Sequence, residues 1–154
     1  MSDWNLKKVL EYALKKEEES IALYTSAQQK AVLPSSKEFL KELEKEEEKH
    51  KEKILEVMRD SSKVENIGHF NIKIQDLKIV DYLVDVPLSS DADYQQILIY
   101  AGKREKTSHD FYMEFATKNK GKQIGKLFAK LAQEELNHKY RLEKEYDDII
   151  LKYM

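Results

Sequence analysis

The sequence predicts an all-α fold, an antiparallel four-helix bundle made of two helical hairpins joined by a long crossover. Three observations carry that expectation. Apolar residues recur at helical spacing through four long stretches. The composition favours helix, with four Gly and two Pro among 154 residues rich in Lys, Glu and Leu. One offset also relates the two halves: Glu17, Tyr24, Glu47 and His50 return 88 residues later as Glu105, Tyr112, Glu135 and His138. The length suits a single domain over residues 1–154 with a sizeable core.

The first helix is expected over about residues 3–31, with Leu6, Leu10, Leu14, Ile21 and Tyr24 on one face and Glu17 set among them. Trp4 reads as packing near its start. Pro34 cannot continue that helix, and Ser35 or Ser36 can cap the next. A second helix follows over about 37–59. Its stripe is Leu40, Leu43, Ile54 and Val57, interrupted by Glu47 and His50, and its Lys/Glu outer face reads as solvated with i,i+4 pairs. Residues 60–91 form the crossover, too long for an ordinary turn and long enough to return the chain along the bundle. It contains Gly68, Pro87 and a short helical piece near 74–84, and its His69 suits a local hydrogen bond.

The third helix spans about 92–118, capped by Asp91 or Asp93 with Asp91 the first choice. Its core face is Leu98, Ala101, Glu105, Tyr112 and Phe115. A turn over Lys118 to Gly121 leads into the fourth helix, about 121–151. There Phe128, Leu131, Leu142 and Ile149 define a stripe that also holds Glu135 and His138.

Composition narrows the function classes. A net charge of −2 with 36% charged residues describes a surface of mixed sign, which argues against nucleic acid or anionic membrane as partner. No stretch has the length and apolarity of a membrane span, and the first residues do not read as a signal peptide, so the cytoplasm is the expected location. Cysteine is absent, which excludes disulfides, thiol nucleophiles and a four-cysteine iron centre within these residues.

The chemistry is carried by residues that do not belong on apolar stripes. A carboxylate or imidazole facing a bundle core is costly unless compensated there. Six such groups occur: Glu17, Glu47, His50, Glu105, Glu135 and His138. Four carboxylates and two neutral imidazoles carry a charge that two divalent cations balance. Oxygen and imidazole donors suit iron or manganese, and also zinc, and nothing soft is present to select copper(I). Each Glu-x-x-His places two donors on one helix face, the pattern by which carboxylate bundles hold a pair of metals. By that geometry Glu47 and Glu135 bridge the pair, Glu17 and Glu105 are terminal, and His50 and His138 bind one metal each. The plainer alternative, surface charge on Lys/Glu-rich helices, does not explain two such pairs at a common offset.

Other residues are open to more than one reading. Tyr24 and Tyr112 each follow a terminal Glu by seven residues and suit either core filling or a hydrogen bond to a ligand carboxylate. His109 lies four residues after Glu105, but its repeat mate is Ile21, which weighs against ligation. Glu46, Glu48 and Glu134 point off the stripes and read as salt-bridged surface residues.

At these residues the sequence resembles the rubrerythrin family of ferritin-like di-iron proteins. The resemblance runs through Glu17 to Tyr24, Glu47 to His50, Lys103 to Tyr112, Leu131 to His138 and the crossover stretch Leu77 to Leu83. It implies a ferritin-like bundle whose two iron ions react with hydrogen peroxide or dioxygen, reducing peroxide to water with two electrons. It also implies a homodimer. The sequence departs from the family pattern twice. It lacks a C-terminal rubredoxin domain, so a separate electron donor such as a rubredoxin-like protein is expected. The family's additional Glu, three residues after the terminal Glu of the third helix, is here Ser108. The leading expectation is therefore a peroxidase or oxidase of oxidative-stress protection. Alternatives are a non-cage iron-binding, ferroxidase or storage protein, a di-manganese catalase-like site, and a bundle that has lost its chemistry.

Overall fold

The computed structural model describes residues 6–59 and 88–151. Trp4, His69, Pro87 and the helical piece near 74–84 lie outside the described residues, as does most of the crossover. Four long helices account for nearly all of the rest: α1 (Leu6–Lys30), α2 (Pro34–Arg59), α3 (Tyr94–Lys118) and α4 (Gln123–Glu145). A π-helical segment, Tyr146–Ile150, extends α4. There is no strand among the described residues, and none of their helices is long and apolar enough to cross a membrane.

The pairing follows from the short links. Residues 31–33 join α1 to α2 and residues 119–122 join α3 to α4, so each hairpin is antiparallel. Between hairpins, α1 runs against α3 and α2 against α4. Both pairs are also antiparallel, because Tyr24 reaches Glu105 while Tyr112 reaches Glu17, and His50 meets Glu134 while Arg141 meets Glu42. The fold is the expected ferritin-like four-helix bundle.

Two boundaries differ from expectation. Helix α2 begins at Pro34, not near Lys37, because proline suits the first helical position, where its missing N–H is not needed. The Lys37 N–H bonds back to the Leu33 carbonyl at 3.1 Å. Helix α3 is capped by Asp93 rather than Asp91. Asp93 Oδ1 accepts from the Gln96 N–H at 2.8 Å, and Gln96 Oε1 accepts from the Asp93 N–H at 2.9 Å. Such a reciprocal box needs Gln three residues on, which only Asp93 has. Asp91 accepts instead from the Ser89 hydroxyl.

Burial corrects the α1 stripe. Leu6, Val9, Leu10, Ala13, Glu17, Ser20, Tyr24 and Ala27 are buried, whereas Leu14 and Ile21 are only half-buried on its flank. The real line is narrower and richer in small residues than the bulky apolar positions suggest. On α4, Ile149 is likewise half-buried. The Leu151 N–H bonds five residues back to the Tyr146 carbonyl, and this wider turn rotates the last residues out of register. Tyr146 and Ile150 are the side chains that pack on the core there.

The core is divided. At one end Leu6, Leu10, Ile54, Phe111, Phe115, Phe128 and Leu131 pack together. At the other, Tyr24, Leu40, Leu43, Ile97, Leu98 and Leu142 form a second cluster. Repeat mates sit at opposite ends, as Leu10 and Leu98 or Ile54 and Leu142 show. A pseudo-twofold therefore passes between the two layers, where the polar groups lie.

The α3–α4 turn depends on two glycines. Gly121 has φ of 87°, a left-handed conformation that a β-carbon disfavours. At Gly125 a β-carbon would meet the Asn119 carbonyl oxygen at 2.2 Å, where the turn lies directly on the first turn of α4. Asn119 is itself fixed, its Nδ2 donating to the Phe115 carbonyl at 2.9 Å. Gly125→Ala is expected to destabilise the protein by about 1–3 kcal/mol in urea unfolding, and more than Gly102→Ala, whose β-carbon meets open space.

Candidate metal centre

All six residues singled out by the repeat converge between the apolar layers. Helix α1 supplies Glu17, α2 Glu47 and His50, α3 Glu105, and α4 Glu135 and His138, each 0–2% exposed. Helical periodicity explains the convergence, since each lies on its helix's buried line with Glu and His one turn apart on α2 and α4. The donors fall into two groups, Glu17, Glu47, His50 and Glu135 in one and Glu47, Glu105, Glu135 and His138 in the other. Within each group the ligand atoms lie within 4.8 Å of one another. Glu47 and Glu135 belong to both.

The imidazoles present Nδ1 inward. His50 Nδ1 lies 3.0 Å from Glu135, 3.2 Å from Glu47 and 3.6 Å from Glu17. His138 Nδ1 lies 3.3 Å from Glu47 and 3.5 Å from Glu105. The rings stack with centroids 5.8 Å apart and planes 12° off parallel. Each outer nitrogen meets a carboxylate of the facing helix: His50 Nε2 pairs with Glu134, and His138 Nε2 lies 3.5 Å from Glu46. Glu46 is held in turn by Arg141 at 2.7 Å. Glu46 and Glu134 are thus salt-bridged and partly exposed, as expected, but the partners on their inner side are the histidines. They too are separated by 88 residues, the signal that could have marked them.

Tyr24 and Tyr112 resolve toward hydrogen bonding. Both are fully buried and cross the twofold, Tyr112 donating to Glu17 Oε1 at 2.6 Å and Tyr24 to Glu105 Oε1. His109 does not join the site and instead pairs with its neighbour Asp110 at 3.0 Å. Two buried cations escaped sequence reasoning. Lys16 and Arg104, again 88 apart, precede the terminal glutamates, and an Arg104 guanidinium nitrogen donates to the Lys16 carbonyl at 3.4 Å. Burial, with the Arg104 charge beside it, pulls the Lys16 ammonium down to about 8. Ser108 is buried, opposite its repeat mate Ser20 in the pattern.

The donor set fits a pair of cations. Glu17 Oε2, both oxygens of Glu47, Glu105 Oε2, Glu135 Oε2 and both ring nitrogens of His138 are buried with no hydrogen-bond partner. Orphaned buried polar atoms are expensive, and here they cluster at one point. Protonation shows the same frustration. Burial and the Glu47 charge push Glu17 up to about 7, and burial with the charges of Glu105, Glu47 and Glu17 pushes Glu135 well up. Burial alone would raise Glu47, but the histidines outweigh it and hold it at about 2. Burial lowers both imidazoles, yet the surrounding carboxylates prevail, raising His50 and taking His138 up to about 12.

The Rubrerythrin family model matches residues 8–85 and 96–153. No curated protein and no solved structure matches.

The raised groups bind protons more tightly folded than unfolded, so their stabilisation is present at low pH and lost as pH rises. For Glu17 the loss runs from about 4.5 to about 7, and for His138 from about 6.5 towards about 12. Metal uptake must displace those protons. The rise in Tm on adding ferrous or manganous ion is expected to be larger near about pH 8 than near about pH 5, measured by calorimetry with and without chelator.

Proposed function

This chain belongs to the rubrerythrin family, and we propose that its six convergent side chains hold two iron ions and make it an oxidoreductase of the peroxidase or oxidase type. The observation that carries this reading is the pair of buried four-residue groups sharing Glu47 and Glu135. Glu47 and Glu135 would touch both ions, Glu17 and His50 one, and Glu105 and His138 the other. A bound iron pair supplies two reducing equivalents and Lewis acidity for reduction of hydrogen peroxide or dioxygen. Manganese fits the same donors, and zinc would bind without redox capacity.

The protein's own contribution is positional. Glu134 pairs with the outer nitrogen of His50 and Glu46 stands 3.5 Å from that of His138, while each Nδ1 is directed inward as a donor. Tyr112 and Tyr24 fix one oxygen of each terminal carboxylate and leave the other available. The two apolar layers exclude bulk water on either side. The 154 residues hold no cysteine for an iron–sulfur donor of their own, and a rubredoxin-like protein is the kind of donor that would refill the pair. Assembly as a homodimer and a cytoplasmic location complete the proposal.

A second reading, iron binding with ferroxidase chemistry but without peroxide turnover, draws on Ser108. It is buried on α3 where the family pattern carries an additional carboxylate.

The purified protein is expected to bind about two irons per chain. Glu47→Ala and Glu135→Ala should abolish binding of both, whereas Glu17→Ala and Glu105→Ala should each spare one ion, as measured by elemental analysis. Stoichiometric binding retained in Glu47→Ala would refute the shared-ligand arrangement. Stopped-flow oxidation of the reduced protein should be faster with peroxide than with dioxygen. If dioxygen is the faster oxidant and Ser108→Glu confers peroxide turnover, the ferroxidase reading replaces the peroxidase one.

A further inference from the structure

The repeat that builds the centre is broken in one place that matters for electrons. Tyr112, whose hydroxyl donates to Glu17, has its ring centroid 5.6 Å from that of Phe111, tilted by 56°. Phe111 lies 4.7 Å from Tyr12 at 55°. Phe111 is buried and Tyr12 half-buried, so three contiguous rings lead from a carboxylate of the centre across the α1–α3 seam to the protein surface.

The other half of the molecule is an internal comparison. The repeat mates of Tyr112, Phe111 and Tyr12 are Tyr24, Leu23 and Tyr100. Both ends of the path are present there, since Tyr24 bonds to Glu105 and Tyr100 is half-buried at the seam. Leu23 stands where the middle ring would be, and no other ring takes that place among the described residues. Leu23 instead lines an open hollow shared with Ala27, Ile97, Tyr100 and Arg104. Packing alone is satisfied by leucine at this position, as that half shows. An aromatic ring there adds π overlap between two tyrosines, and electron tunnelling falls steeply with the gap between π systems.

We infer that Tyr12, Phe111 and Tyr112 form a one-electron relay joining the metal centre to the surface, through which a one-electron reductant meeting the protein near Tyr12 refills the oxidised site. The inference rests on the redox reading of the centre. In each passage the reductant loses one electron and the centre gains it; the electron tunnels through the three rings without oxidising any of them, and the Tyr112 proton stays on its hydrogen bond to Glu17. Burial pushes the Tyr12 hydroxyl up to about 12, with Arg104 opposing, so it stands protonated at neutral pH.

The absence of cysteine allows a clean test. Lys15 is exposed one turn from Tyr12, and Lys15→Cys gives a single attachment point for a ruthenium polypyridyl photo-oxidant. Flash-quench oxidation of the full chain without metal should leave a long-lived buried tyrosyl radical, followed by optical absorption and EPR. The signal should vanish in Tyr112→Phe and in Phe111→Leu and persist in Tyr100→Phe. Thermal melts of each variant verify folding, and leucine is already tolerated at the equivalent Leu23. In the iron-loaded protein, reduction of the oxidised centre by ascorbate should slow in Phe111→Leu and not in Tyr100→Phe. A long-lived radical that survives Tyr112→Phe, or unchanged migration in Phe111→Leu, overturns the relay. Stoichiometric metal with a radical that stops at Tyr12 overturns the relay and leaves the metal centre standing. Migration to Tyr112 in a protein that takes up no metal supports the route and overturns the redox reading it serves.

Discussion

The structure depends on one uncomfortable arrangement: four carboxylates and two imidazoles buried at the midpoint of a helical bundle. Their mutual repulsion and desolvation would unfold so small a core if they stood unpaired. Every surrounding feature addresses that cost. Two imidazoles lie between the carboxylates, two tyrosine hydroxyls donate into them from across the twofold, and two outer glutamates take the far sides of the histidines. Even so, seven polar atoms of the cluster remain without a hydrogen-bond partner. A divalent pair is the species whose charge and coordination needs match what is left over.

Internal duplication makes such a site economical to specify. Placing one Glu on α1 and a Glu-x-x-His on α2 generates, by the twofold, the same set on α3 and α4. The two apolar layers then exchange roles, and an apolar side chain on one side of the centre has its mate on the other. Where the halves diverge, the divergence is local. Phe111, Phe115 and Phe128 fill one end where Leu23, Ala27 and Leu40 stand in the repeat. The same divergence gives one tyrosine of the pair a ring neighbour leading outward and, among the described residues, leaves the other without one.

Family membership and geometry support the redox reading by different routes. The family match covers most of the chain and brings an expectation of di-iron chemistry. The geometry independently supplies two overlapping donor groups with common members, which a merely structural polar cluster has no reason to form. Ser108, buried on α3, brings no charge to the centre.

Much was legible in the residues alone. Helix number, hairpin pairing and the six central donors all follow from apolar periodicity and a fixed offset, because a carboxylate on an apolar stripe must face whatever the stripe faces. What the sequence by itself could not determine were properties of the space between helices. Whether Tyr24 and Tyr112 fill the core or hold a carboxylate depends on which glutamate lies opposite, and it is the one from the other hairpin. Glu46 and Glu134 looked like surface charge because their own helices turn them outward, yet the facing helix brings a histidine to each. Nothing in the linear pattern marks Lys16 and Arg104 as buried, and only the packing of α1 on α3 encloses them. The bounds of α2 and α3, and the register of the last turn of α4, were decided by local backbone bonding that periodicity does not encode. A linear pattern records which face of a helix is buried, and only the packed bundle decides what stands across from it.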